Sequence, residues 1–176
     1  MARILRAPTR VAERERWTFV AEPTGEAYRG LIDHALRRCC PEFLLVVRGD
    51  GHEGLSALGH QTLRRLASSL IAEEEALEWS GTVLHPAAKP GRVLRYALAE
   101  HSAEVLKQQT DGLYGWLHPD LPEDLVFLRE HQEPWLTSVA RERRAWLSGS
   151  RAGRDALVSA VPELAALLAE RPAAPA

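Results

Sequence analysis

The sequence predicts an α/β domain, α+β in style, with a mixed, mainly antiparallel sheet of about five or six strands and helices packed largely on one face. Three stretches carry that prediction. Phe43 to Arg48, FLLVVR, is too short for a helix and apolar on both faces, as in a strand buried between two layers. Arg92 to Leu98 alternates, with Leu94, Tyr96 and Leu98 on one side and Arg95 on the other. Leu125 to Arg129 and Trp135 to Val139 read as a hairpin joined through Glu130 to Pro134, feeding directly into an arginine-rich helix.

The remaining elements follow in order. Residues 1–15 read as a flexible N-terminal arm, 16–170 as one domain and 171–176, ending RPAAPA, as a disordered tail. Arg16 to Ala21 alternates as a first strand with Trp17 and Phe19 on one face. Pro23-Thr24-Gly25 then opens a helix in which Tyr28, Leu31, Ile32, Ala35 and Leu36 recur at three- and four-residue spacing until Pro41. After a turn at Gly49 to Gly54, apolar residues from Leu55 through Leu77 predict a long helix ending near Trp79, its Glu73-Glu74-Glu75 run facing water. Gly81 to His85 reads as a short strand, and Ser102 as the N-cap of a helix reaching Gln109. Pro134 suits an edge strand, which needs no donor there. A helix from Ala140 to Leu147 and another from Ala152 to Glu170, interrupted at Pro162, complete the set.

Composition restricts the function classes. The chain of 176 residues, 45% hydrophobic and 26% charged, matches one ordinary globular domain. Its apolar runs, such as Phe43 to Val47, fall far short of a bilayer span, so no membrane partner is expected. The N-terminus lacks the apolar core of a secretory signal, and a cytoplasmic location is the simplest expectation. A net charge of −2 offers no general attraction for nucleic acid, which is not expected as a partner.

Several constellations resemble chemistry without completing it. Gly49-Asp50-Gly51-His52-Glu53-Gly54 satisfies the glycine spacing of a dinucleotide loop, but Asp50 and Glu53 would repel a diphosphate, and a surface turn is the preferred reading. The adjacent Cys39 and Cys40 cannot tie distant segments together, and no second Cys/His pair stands at zinc-finger spacing. Burial at a helix end is preferred to a redox or metal role, and neither metal nor cofactor is expected. His101 and Glu104 share a helix face, and with His118 they define an alternative pocket for a small enzyme or ligand-binding domain. Arg141, Arg143, Arg144, Arg151 and Arg154 gather basic charge that Glu142 and Asp155 dilute.

The five tryptophans, Trp17, Trp79, Trp116, Trp135 and Trp146, exceed what a core of this size requires; core packing is the preferred reading, and any left exposed would anchor a protein interface. The expected interaction surface is therefore the loop from Leu113 to Asp124 with the adjoining hairpin, carried by Tyr114, Trp116, Asp120, Glu123, Asp124, Trp135 and Arg141. The expected partner is another protein.

Glu78-Trp79-Ser80-Gly81-Thr82, Leu113-Tyr114-Gly115-Trp116 and Leu121-Pro122-Glu123-Asp124-Leu125, with Trp135-Leu136, resemble small uncharacterised proteins of GC-rich bacteria. The resemblance covers roughly the latter two thirds of the chain and implies no activity. Where that pattern has His-Glu after the second hairpin strand, this chain has Arg141-Glu142. In size and architecture the chain also resembles immunity proteins that bind and block bacterial toxins. The expectation is a non-catalytic, immunity-like protein-interaction domain, with the enzyme question left open.

Overall fold

A computed structural model describes residues 15–49 and 54–170. The N-terminal arm up to Arg14, the tail 171–176 and the centre of the glycine loop, 50–53, lie outside the described residues. Glu15, expected in the arm, is the first residue of β1 (Glu15–Phe19), paired with Gly149.

The fold is a mixed α/β one built on an eight-stranded sheet, larger than the five or six strands expected, in the order β10-β1-β9-β8-β7-β2-β6-β3. The strands are β2 (Glu42–Val47), β3 (Leu70–Ala76), β6 (Gly91–Ala97), β7 (Glu123–Leu128), β8 (Pro134–Val139), β9 (Arg144–Gly149) and β10 (Leu168–Glu170), with β1. Every pairing within it is antiparallel. A separate two-stranded hairpin pairs β4 (Glu78–Trp79) with β5 (Thr82–Val83). Among the described residues four α-helices complete the fold: α1 (Gly25–His34), α2 (Ala57–Leu66), α3 (Glu100–Gln109) and α4 (Arg151–Ala160).

The extra strands come from segments expected to be helical. The helix after Leu55 stops at Leu66, and Leu70 to Ala76 turns back as β3 along the outer side of β6. The expected helix at Ala140–Leu147 is a single tight turn, Ala140–Glu142, followed by β9; Arg143, at φ 49°, makes the reversal. The opening hairpin is thus the first half of a three-strand meander. Beyond Ala160, Pro162 does end the helix, but the chain then runs through a 3₁₀ turn into β10. Pro134 begins a strand flanked by β7 and β9, where its missing donor lies at the strand's first position rather than along an edge.

The sheet separates two cores. On one side Phe43, Leu45, Leu94, Tyr96, Leu125, Phe127, Leu136 and Leu147 pack against Tyr28, Leu31 and Ile32 of α1, Leu66 of α2, Leu106 of α3 and Leu157 of α4. On the other, Leu44, Val46, Val93, Val126 and Leu128 form a smaller cluster with Trp79 of the β4–β5 hairpin. The alternation within β2 is what divides the clusters, since successive side chains of a strand point to opposite faces. Three of the four described helix N-termini are fixed by a serine side chain. Ser56 and Ser150 accept hydrogen bonds from the amides of Gly59 and Gly153, at 3.2 Å each. For α3 the expected N-cap shifts: Ala99 occupies that position, and Ser102 reaches back from the first turn to accept the Ala99 amide at 2.9 Å.

Candidate functional site

Most of the expected interaction surface is interior. Trp116 is fully buried, its indole N–H donating to the Tyr28 hydroxyl at 2.8 Å, and that hydroxyl donates to the Leu106 carbonyl at 3.0 Å. Trp135 is buried between His34, with which it stacks at 5.8 Å, and Phe127. Tyr114 is buried beneath the Arg143 guanidinium, 5.3 Å from its ring. These rings join helices to the sheet, so they present no aromatic patch to a partner. Of the seven residues only Asp120 and Arg141 are exposed.

Glu123 and Asp124 are each 1% exposed, adjacent carboxylates at the start of β7. Asp124 accepts from three donors: the Trp79 indole at 2.8 Å, the Thr82 hydroxyl at 3.2 Å and the Ala140 amide at 3.0 Å. It thereby fastens the β4–β5 hairpin onto the sheet. Glu123 lies between Arg48 and Arg141, each 3.4 Å away. Burial, followed by the neighbouring Asp124, raises its pKa, and the two guanidiniums offset that rise only in part.

His101, Glu104 and His118 do not converge. His101 bonds the Arg65 carbonyl at 2.9 Å, and Glu104 pairs with Lys107 at 2.7 Å. None of the described cavities is lined by any of the three. Among the described residues no three His, Cys, Asp or Glu side chains gather as metal ligands, and no helix is long and apolar enough to cross a membrane.

The hairpin that Asp124 holds shapes a groove on the sheet. It covers the face away from the helices over β7 to β9, where Ser80 bonds Thr137 at 2.7 Å. Gly81, at φ 87°, makes the turn so close to the sheet that a Cβ there would meet Trp146 at 2.7 Å. Toward β2, β6 and β3 the face stays open as a groove of about 390 Å³. Leu44, Val93 and Leu128 form its floor, Trp79 and Pro134 its walls, and Glu74, Glu78 and Arg95 its polar rim. Arg95 is engaged by Glu42 at 2.8 Å, whereas Glu74 and Glu78 have no side-chain hydrogen bond or ion pair among the described residues.

The groove opens onto the edge of the sheet. Among the described residues β3 pairs with β6 on one side only, and its Leu70 and Ile71 are 42% and 46% exposed. Leu77 and Val83 add exposed apolar surface beside it. A free strand edge, apolar side chains and unpaired carboxylates thus meet in one place. Sequence reading missed this site because it placed Glu73 to Glu75 on a helix. No local signal marks the strand, since the Ser80-Gly81 turn lies beyond the helix end already expected near Trp79.

Comparison with protein-family models, with curated proteins and with solved structures finds no match to this chain.

Proposed function

We propose that this protein is a non-catalytic interaction domain that binds an extended, basic polypeptide segment along β3 and the adjoining groove. The observation that carries this reading is the seven-residue β3, which among the described residues has one free edge, bordered by exposed Leu70 and Ile71 and by a groove whose Glu74 and Glu78 have no partner there. An extended peptide can complete such an edge with main-chain hydrogen bonds while alternate side chains enter the groove.

Charge selects the occupant. Glu73, Glu74 and Glu75 stand consecutively on the edge, and only Glu73 is held by a neighbouring guanidinium, that of Arg92 at 2.7 Å. A second copy of β3 would set these carboxylates against their own kind, and like charges across a strand pair are destabilising. The same acids that discourage self-pairing favour arginine or lysine in an added strand. The immunity-like role corresponds to the case in which that basic segment belongs to a toxic protein whose action is blocked when bound.

The test uses two short labelled peptides, one alternating valine with arginine and the other valine with glutamate, titrated by fluorescence anisotropy. The arginine peptide is expected to bind at least about tenfold more tightly, since each factor of ten needs only about 1.4 kcal/mol. A Glu74→Arg, Glu78→Arg variant should lose that preference with its fold intact, both positions being exposed. Equal binding of the two peptides, no binding of the arginine peptide, or binding indifferent to the charge reversal would overturn the proposal.

A further inference from the structure

A second cavity lies at the end of the sheet where β7 turns into β8, and it contains both cysteines of the chain. It is broad and open, about 640 Å³. Arg37, Arg38 and Arg129 line it, with Glu130, His131 and Glu133 across from them. Arg37 and Arg38 are exposed and make no ion pair among the described residues.

The local backbone explains why the cysteines are placed there. The last turn after α1, Ala35–Cys39, is π-helical, closed by the Cys40 amide donating to the Ala35 carbonyl at 2.9 Å. Such wide turns are uncommon and recur at functional sites. This one leaves Cys40 buried, Cys39 partly open, and their sulfurs 3.4 Å apart in hydrogen-bonding contact without a disulfide.

We propose that Cys39 is a thiol-modification site that accepts a small anionic disulfide of the glutathione class, forming a mixed disulfide inside the arginine-lined cavity. Three arginines against two glutamates suit a reagent that carries carboxylates. The two thiols divide the work. Burial, and then the neighbouring sulfur, keep Cys40 protonated, while the hydrogen bond from Cys40 lowers the pKa of Cys39. Cys39, the thiol open to the cavity, is the nucleophile, and the buried Cys40 stays a thiol beside it.

The Cys39 thiolate attacks one sulfur of the reagent; the new S–S bond forms as the reagent's own S–S bond breaks. The departing thiolate takes up the proton that Cys39 released. Cys39 is thereby oxidised, and half of the reagent is reduced to its thiol. Adjacent cysteines close a strained ring, so Cys40 does not expel the adduct, and release requires an external thiol.

The test follows adduct formation by intact-protein mass spectrometry at neutral pH, with glutathione disulfide and the cationic disulfide cystamine as probes. One glutathionyl group should appear in wild type and in Cys40→Ser, and none in Cys39→Ser. Glutathione disulfide should react about tenfold faster than cystamine, the scale on which local charge raises encounter rates. Arg37→Ala with Arg38→Ala, both surface changes, should bring the two rates together. An adduct on Cys40, equal rates for the two probes in wild type, or a rate no faster than in urea-unfolded protein would overturn the proposal.

Discussion

Asp124 has a backbone φ of 60°, a left-handed conformation that aspartate adopts more readily than most residues. That geometry turns its carboxylate back beneath the β4–β5 hairpin, where three donors converge on it. An asparagine at this position would keep the backbone preference but would set an amide N–H₂ against donors on one side. Asp124→Asn is therefore expected to cost about 1–3 kcal/mol, the penalty for a buried donor left without an acceptor. Urea unfolding measures the loss, and an unchanged midpoint would show that the hairpin is held by Trp79 packing alone. The neighbouring Glu123 makes a prediction in pH. A carboxyl whose pKa is raised on folding binds its proton more tightly native than unfolded. Its contribution is full below the unfolded value of about 4.3 and is lost as pH rises through the raised native value. Glu123→Gln removes that dependence, so the variant should gain on wild type in unfolding free energy between about pH 4 and neutrality. A gap that stays constant or reverses would mean that Arg48 and Arg141 outweigh burial.

At the level of elements, what was legible in the sequence was what local pattern determines. Phe43 to Val47 reads as a doubly buried strand because its alternate residues feed two different cores, Phe43 and Leu45 one, Leu44 and Val46 the other. The β7–β8 hairpin and α1 were equally plain, each being bounded by its own prolines and turns. The segment Leu70 to Leu77 was not, because Leu, Ala and Glu are strong helix formers and their spacing continues that of α2. Its strand conformation is set from outside, by the outer edge of β6, whose backbone groups it satisfies. The same override made a strand of Arg144 to Gly149, which bridges β8 and β1. Neither partner lies within the segment itself, so no local period announces them. Trp116 and Trp135 were placed on a surface for a related reason. Four of the five are buried, and Trp79 and Trp116 tolerate it because Asp124 and Tyr28 accept their indole N–H groups. Those acceptors stand 45 and 88 residues away in sequence.

At the level of the whole molecule, the same central strands serve both faces. β2 and β7 contribute Phe43, Leu45, Leu125 and Phe127 to the helical core, and Leu44, Val46, Val126 and Leu128 to the groove side. The smaller cluster therefore cannot loosen without disturbing strands on which the larger one depends, and the two should unfold as one cooperative unit. Val126→Ala tests this from the groove side. Val126 is fully buried, so removing its two methyl groups leaves a cavity and should cost about 2–3 kcal/mol. If the cores are coupled, the entire cost appears as a lower urea midpoint with an unchanged slope, because the surface exposed on unfolding stays the same. Helical circular dichroism and tryptophan fluorescence should then move together, Trp116 and Trp135 reporting the far core and Trp79 the near one. If instead the groove side is an independent layer, Trp79 would be released first while the helical signal persists. The transition would separate into two steps, and the β3 edge would be a local structure attached to the domain rather than part of its single folding unit.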